Sequence, residues 1–151
     1  MSRRRIFLLV EDNADDVDLA IRAFEKSKLV NEIIVVRDGE EALDFLFATG
    51  AYGGRDPNVF PEVVLLDLKL PKVSGLEVLR RMRADARTRR LPVVVLTSSN
   101  EERDVISSYD LGANSFVRKP VDFAQFIDAA QQLGLYWLVL NEPPPPPGKV
   151  S

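Results

Sequence analysis

The sequence predicts an α/β domain: a doubly wound, five-stranded parallel sheet in the order 2-1-3-4-5, covered by five helices. Three observations predict it. Short apolar runs recur at residues 6–10, 33–36, 63–66, 93–96 and 115–117. Stretches with helical spacing separate successive runs, and strict β/α alternation with right-handed crossovers winds a sheet between two helical layers. Most runs also stop on polar or charged residues, as strands do where their carboxyl ends open on a cleft.

The elements follow in order. The run "IFLLV" opens the chain's first strand. Val17, Ala20, Ile21 and Phe24 then recur at i, i+3, i+4 and i+7, which puts them on one helical face. After the second run, Asp38 is a plausible N-cap for a helix carrying Leu43, Leu46 and Phe47. The third run, "VVLL", is β-branched and apolar, as a strand buried on both faces requires. Leu76, Leu79 and Met82 mark the third helix. Val105, Ile106 and Tyr109 mark the fourth, ending near Gly112. Phe123, Phe126, Ile127, Ala130 and Leu133 mark the fifth. The strand order is that of the flavodoxin-like fold. Residues 49–61, "TGAYGGRDPNVFP", make a Gly/Pro-rich loop that is long for this architecture. Residues 1–141 read as a single domain with an extended C-terminal helix, and residues 142–151 as a proline-rich, mobile tail. No output domain is expected.

Composition narrows the chemistry. At 151 residues, 46% hydrophobic and 28% charged, the chain can bury an ordinary globular core. Its net charge of −3 supplies no global attraction to nucleic acid. With no cysteine and no histidine, disulfides, thiolate catalysis, His-dependent triads and Cys/His metal sites are all excluded. Nor can the chain carry a phosphohistidine itself. The basic-then-apolar start fails as a signal peptide, because Glu11 and Asp12 follow directly after residue 10, and no apolar run is long enough to span a membrane. A cytoplasmic location is the expectation.

Chemistry must therefore rest on carboxylates, hydroxyls, lysines and backbone groups, and these gather at the strand ends. The first strand runs into Glu11 and Asp12, the third into Asp67, the fourth into Thr97, Ser98 and Ser99, and the fifth into Lys119 and Pro120. In the predicted topology all of these ends share one edge of the sheet. Clustered carboxylates repel one another and favour a cation, and hard oxygen donors suit Mg2+ better than zinc or copper. Asp is also one of the side chains that form covalent phosphoenzyme-type adducts. Asp67, at the centre, is the candidate acceptor. Lys119 and Thr97 are candidates to receive a phosphate, and Glu11 and Asp12 to hold the metal. Taken singly, an acidic pair after a strand is a solvated turn or a helix start, a strand-end Thr is packing, and Lys-Pro is a turn. Their joint occurrence at successive strand ends favours a site.

The segments "LLVEDNADD", "VVLLDLKLPKVSGLEVL", "PVVVLTSS" and "ANSFVRKP" together resemble the receiver domain of two-component response regulators, over about residues 5–133. The resemblance implies that Asp67 accepts a phosphoryl group from a sensor histidine kinase. It implies that Glu11, Asp12, Asp67 and the Lys69 backbone carbonyl bind Mg2+. By the same resemblance Lys119 and Thr97 engage the phosphoryl group, Phe116 turns inward as an aromatic switch, the Lys119–Pro120 bond is cis, and Gly75 opens the third helix. Lys69 and Ser99 occupy positions that vary within the family and flank the path of an attacking water. The long 49–61 loop and the aromatic-rich "LGLYWLVL" are further similar to stand-alone regulators that serve bacterial and cyanobacterial phytochromes, which implies a light-sensing kinase as partner. Residues 135–140 are apolar on every side, so a homodimer through the C-terminal helix region is expected, with folding back on the same domain as the alternative.

Two other functions compete. A phosphatase of the haloacid-dehalogenase type also uses a strand-end Asp with Mg2+, but needs a second Asp where this chain has Lys69. A receiver-like interaction module without phosphorylation typically lacks the acid pair, acceptor or lysine. The "RRMRADARTRR" segment, residues 80–90, carries six arginines and reads as a solvated face rather than a nucleic-acid surface.

Overall fold

The computed structural model describes residues 6–27, 32–56, 59–98, 101–119 and the isolated positions 128 and 132. Apart from positions 128 and 132, the expected fifth helix lies outside the described residues, as do the apolar segment 135–140, the proline-rich tail, Ser99 and Pro120. The described chain runs β1 (Ile6–Val10), α1 (Ala14–Ser27), β2 (Glu32–Val36), α2 (Gly39–Phe47), a 3-10 turn (Gly50–Tyr52), β3 (Val63–Leu66), α3 (Gly75–Ala84), β4 (Val93–Thr97), α4 (Glu102–Asp110) and β5 (Ser115–Arg118). The five strands are all parallel and lie in the order β2-β1-β3-β4-β5, as predicted.

Strand alternation sorts the apolar residues into two layers. Leu8, Val10, Val64 and Leu66 point toward α2 and α3, where they meet Leu46, Leu79 and Met82. Phe7, Leu9, Val63 and Leu65 point the other way, onto Val17, Ala20 and Phe24 of α1. The Phe7 and Phe24 rings meet edge to face at 5.2 Å. β1 and β3 are buried at every position, which explains why neither run shows a polar alternation.

Helix starts carry the caps that the sequence supplies. Asp38 accepts from the Glu41 amide at 2.7 Å, and the Glu41 carboxylate reaches back to the Arg37 amide at 2.7 Å. Ser74 caps α3 through the Glu77 amide. On α4 the apolar stripe does not face the core. Ser108 takes the buried position, its hydroxyl returned to the Asp104 carbonyl at 2.7 Å, while Ile106 and Tyr109 remain 54% and 50% exposed. The helix falls where the spacing placed it, but its buried face does not.

The 49–61 loop is latched to α2. Arg55 stacks over the Phe45 ring at 4.5 Å and donates to the Phe45 and Leu46 carbonyls in the last turn of α2. It also donates to the Val59 carbonyl. Tyr52 adds a hydrogen bond to Glu41 at 3.0 Å and an edge contact with Phe45. The arginines of residues 80–90 are largely engaged in local contacts. Arg80 and Arg81 pair with Glu77, and Arg87 pairs with Asp85. Arg83 ties the end of α3 to the Leu91 and Gly112 carbonyls at 2.7 and 2.8 Å.

Gly75 is required by close approach. A Cβ there would lie 2.2 Å from the Asp67 carbonyl oxygen and 2.6 Å from Leu68 Cα. The β3–α3 loop folds back so tightly that the Gly75 amide bonds the Leu68 carbonyl at 2.9 Å. Gly75→Ala should therefore cost about 1–3 kcal/mol in urea unfolding, as overpacking against backbone does. Gly54→Ala, with nothing within 4 Å of its Cβ, should be close to neutral in the same measurement.

Candidate functional site at the carboxyl edge of the sheet

Three backbone hydrogen bonds extend the parallel ladder one residue past the strands. The Glu11 amide donates to Val36, the Asp67 amide to Val10 and the Lys119 amide to Thr97, at 3.0, 3.0 and 2.8 Å. Register does the rest. Val10 is level with both Val36 and Leu66, and Leu66 with Val95. The residues that follow each strand must then emerge side by side.

They do. Asp67 is buried, and its Oδ1 accepts from the Thr97 hydroxyl at 2.7 Å and from the Lys69 amide at 3.2 Å. Its Oδ2 lies 3.5 Å from the Lys119 ammonium. Lys119 also forms an ion pair with Glu11 and another with Asp16 at 2.8 Å. Its side chain is only 12% exposed, and that of Glu11 only 3%. The Glu11 Oε2 in turn accepts from the Asn13 amide at 3.2 Å. Asp12 is exposed at the mouth of the cluster, and Lys69 reaches the site through its backbone amide while its side chain is exposed. Phe116 stands on β5, half-buried against the α2/α3 core layer and level with Val95.

The site therefore brings together Glu11, Asp12, Asp67, Thr97 and Lys119 and keeps Phe116 one layer below. Sequence reasoning missed Asp16. An acid in the first turn of α1 is accounted for by the helix dipole alone, and nothing local pointed to a partner 103 positions away.

Burial is the main influence on the Glu11 carboxyl and raises it from 4.5 to about 7. The Lys119 hydrogen bond works against that shift, and neighbouring Asp67 adds to it. Burial by itself would lower the Lys119 ammonium, but its hydrogen bonds to Asp16 and Glu11 and the charge of Asp67 outweigh that and raise it. The ammonium is thus a firmly charged counterion for the acids. One oxygen from each of Glu11, Asp12 and Asp67 can lie within 4.8 Å of the others, and hard carboxylate donors so placed fit a divalent cation.

This arrangement defines a receiver: a central strand-end Asp, acids beside it, and a hydroxyl and an ammonium on the strands beyond. The family model for the response regulator receiver domain matches residues 7–131, and the chain belongs to that family. Among curated proteins it is 42% identical over 141 residues to the probable methanogenesis regulatory protein FilR2 of Methanothrix harundinacea, covering 93% of this chain and 88% of the other. It is 37% identical over 134 residues to response regulator Rcp1 of Synechocystis, covering 89% of each. Among solved structures, the phosphorylated cyanobacterial phytochrome response regulator RcpA superposes with a TM-score of 0.85 at 36% identity, over 95% of this chain and all of the other. The bacteriophytochrome response regulator AtBRR gives a TM-score of 0.74 at 55% identity, over 93% of this chain and all of the other. A Mn(2+)-bound form of Rcp1 superposes at 0.83 with 36% identity, over 93% of this chain and 99% of the other.

The raised Glu11 carboxyl makes both stability and cation binding depend on pH. Below about pH 4.5 the group is neutral both folded and unfolded. As pH rises through about 7, the folded state must give up a proton it holds more tightly than the unfolded chain, so the stability this group contributes is lost. A divalent cation needs the ionised form, so its affinity should rise with pH over the same window. Calorimetric titration with Mg2+ should find binding roughly tenfold weaker at about pH 6 than at about pH 8. Glu11→Gln should flatten that dependence.

Proposed function

We propose that Asp67 accepts a phosphoryl group from the phosphohistidine of a sensor histidine kinase, and that the chain signals by changing which partners it binds. One observation carries this reading. Asp67 is held at the end of a central strand with Thr97 on one carboxylate oxygen and Lys119 facing the other. An Asp67 oxygen attacks phosphorus, the P–N bond breaks, and the imidazole leaves with a proton. Glu11, Asp12, Asp67 and the Lys69 carbonyl hold Mg2+, which when bound neutralises charge on the phosphoryl oxygens. The new group carries roughly −1.5 to −2 charges, and Thr97 and Lys119 turn to it. Phe116, level with Val95 on the neighbouring strand, moves inward as Thr97 leaves its resting place and reshapes the α4–β5 surface, a population shift between two states. On this reading the chain assists its own phosphorylation and hydrolysis and is not an enzyme toward a separate substrate.

The partner we favour is a light-sensing kinase of the bacterial phytochrome kind. Support comes from similarity to proteins described as phytochrome response regulators, which reaches 55% identity, against 42% for a relative described as a methanogenesis regulator. The position of Lys69, where a haloacid-dehalogenase-type phosphatase needs its second Asp, argues against a phosphatase. The described residues include no helix long and apolar enough to cross a membrane, in keeping with a cytoplasmic setting.

Incubation with phosphorylated bacteriophytochrome kinases should transfer label to the chain but not to Asp67→Asn. Label retained by the variant would move the acceptor elsewhere. The homodimer proposed through residues 123–140 should give twice the monomer mass in light scattering at micromolar concentration, and a monomeric mass across that range would refute it.

A further inference from the structure

Asp16 stands in the site without a role in the proposed chemistry. Its Oδ2 is 2.8 Å from the Lys119 ammonium, closer than Asp67 Oδ2 at 3.5 Å. It is not a loose surface acid. Its amide donates to Asn13 Oδ1 at 3.0 Å, and the Asn13 amide donates to Glu11 Oε2 at 3.2 Å. Glu11 then bonds Lys119, which closes a ring of four residues at the start of α1. The neighbouring acids are used differently: Asp18 pairs with Arg22 one turn along, and Asp15 is exposed on the solvent side.

An ammonium has three donors. In the resting chain they face Glu11, Asp16 and Asp67, with the longest contact to Asp67. The Asp67-facing contact is the longest of the three, so a phosphoryl oxygen carried on Asp67 draws the ammonium toward itself and away from Asp16. The geometry points to Asp16 as a positioning residue that parks Lys119 toward α1 and competes with the phosphoryl group for it. Asp16 thereby sets how readily the loaded state forms, and the first turn of α1 loses an ion pair each time it does. This rests on Asp67 being the phosphoacceptor.

Beryllium fluoride with Mg2+ is the probe, a tetrahedral stand-in for the phosphoryl group, with binding followed by fluorine NMR. Removing the competitor should make Asp16→Asn bind about two- to fivefold more tightly than the unaltered chain, the scale of a partly exposed ion pair. Asp15→Asn removes the same charge from the same turn, and Asp16→Glu keeps a carboxylate within reach of Lys119, so both should stay near the unaltered value. Equal gains for Asp15→Asn and Asp16→Asn would make this a general charge effect and overturn the proposal, as would unchanged or weaker binding by Asp16→Asn. If Asp16→Asn proves unfolded by circular dichroism, Asp16→Ala makes the same comparison. Binding by the unaltered chain but not by Asp67→Asn keeps the acceptor assignment intact whatever Asp16 does. Absence of binding by the unaltered chain removes both.

Discussion

The site depends on the register of a parallel ladder. Glu11, Asp67 and Lys119 are far apart in the chain, and none lies inside a strand. Each is nonetheless held by an amide that continues the ladder onto the neighbouring strand. A one-residue slip would turn every side chain on the slipped strand to the opposite face. It would empty the two core layers and scatter the charged groups together. Core packing and the site are therefore specified by the same hydrogen bonds. The fully buried, apolar interiors of β1, β3 and β4 make that register hard to change.

Within this frame the electrostatics leave the site poised. Acids that would repel one another are held together by one ammonium, and Glu11, the most deeply buried of them, retains its proton until near neutrality. Removing a partner from such a cluster leaves a buried charge uncompensated, so its members act as a unit. The same ammonium lies near the carboxylate that we assign as the acceptor. Resting stability and response to a phosphoryl group thus draw on a single mobile cation.

Two segments away from the site are tied into the fold by arginines. The Gly/Pro-rich loop after α2 supplies Arg55, which satisfies carbonyls at the helix end and stacks on Phe45. In the arginine-rich segment, Arg83 braces the α3–β4 and α4–β5 connections, while Arg80, Arg81 and Arg87 are paired with nearby acids. Among the described residues, the carboxyl edge of the sheet is where carboxylates, a hydroxyl and an ammonium converge without a purely structural purpose.

Fold class, strand order and the central residues were legible in the sequence by itself. Apolar runs such as "VVLL" fit buried strands, their alternation with helical spacing fixes the topology, and Asp67 directly after marks a strand end. Caps such as Asp38 act over three residues and are visible as local pattern. The tertiary structure alone decided three matters. It placed Asp16 on Lys119, it turned Ile106 and Tyr109 outward with Ser108 inward, and it latched Arg55 onto α2. The physical reason is common to all three. Periodicity and capping report on a residue and its neighbours along the chain. Which long side chain meets which acid, and which helical face is covered, depend on distances between segments that exist only once the sheet has assembled.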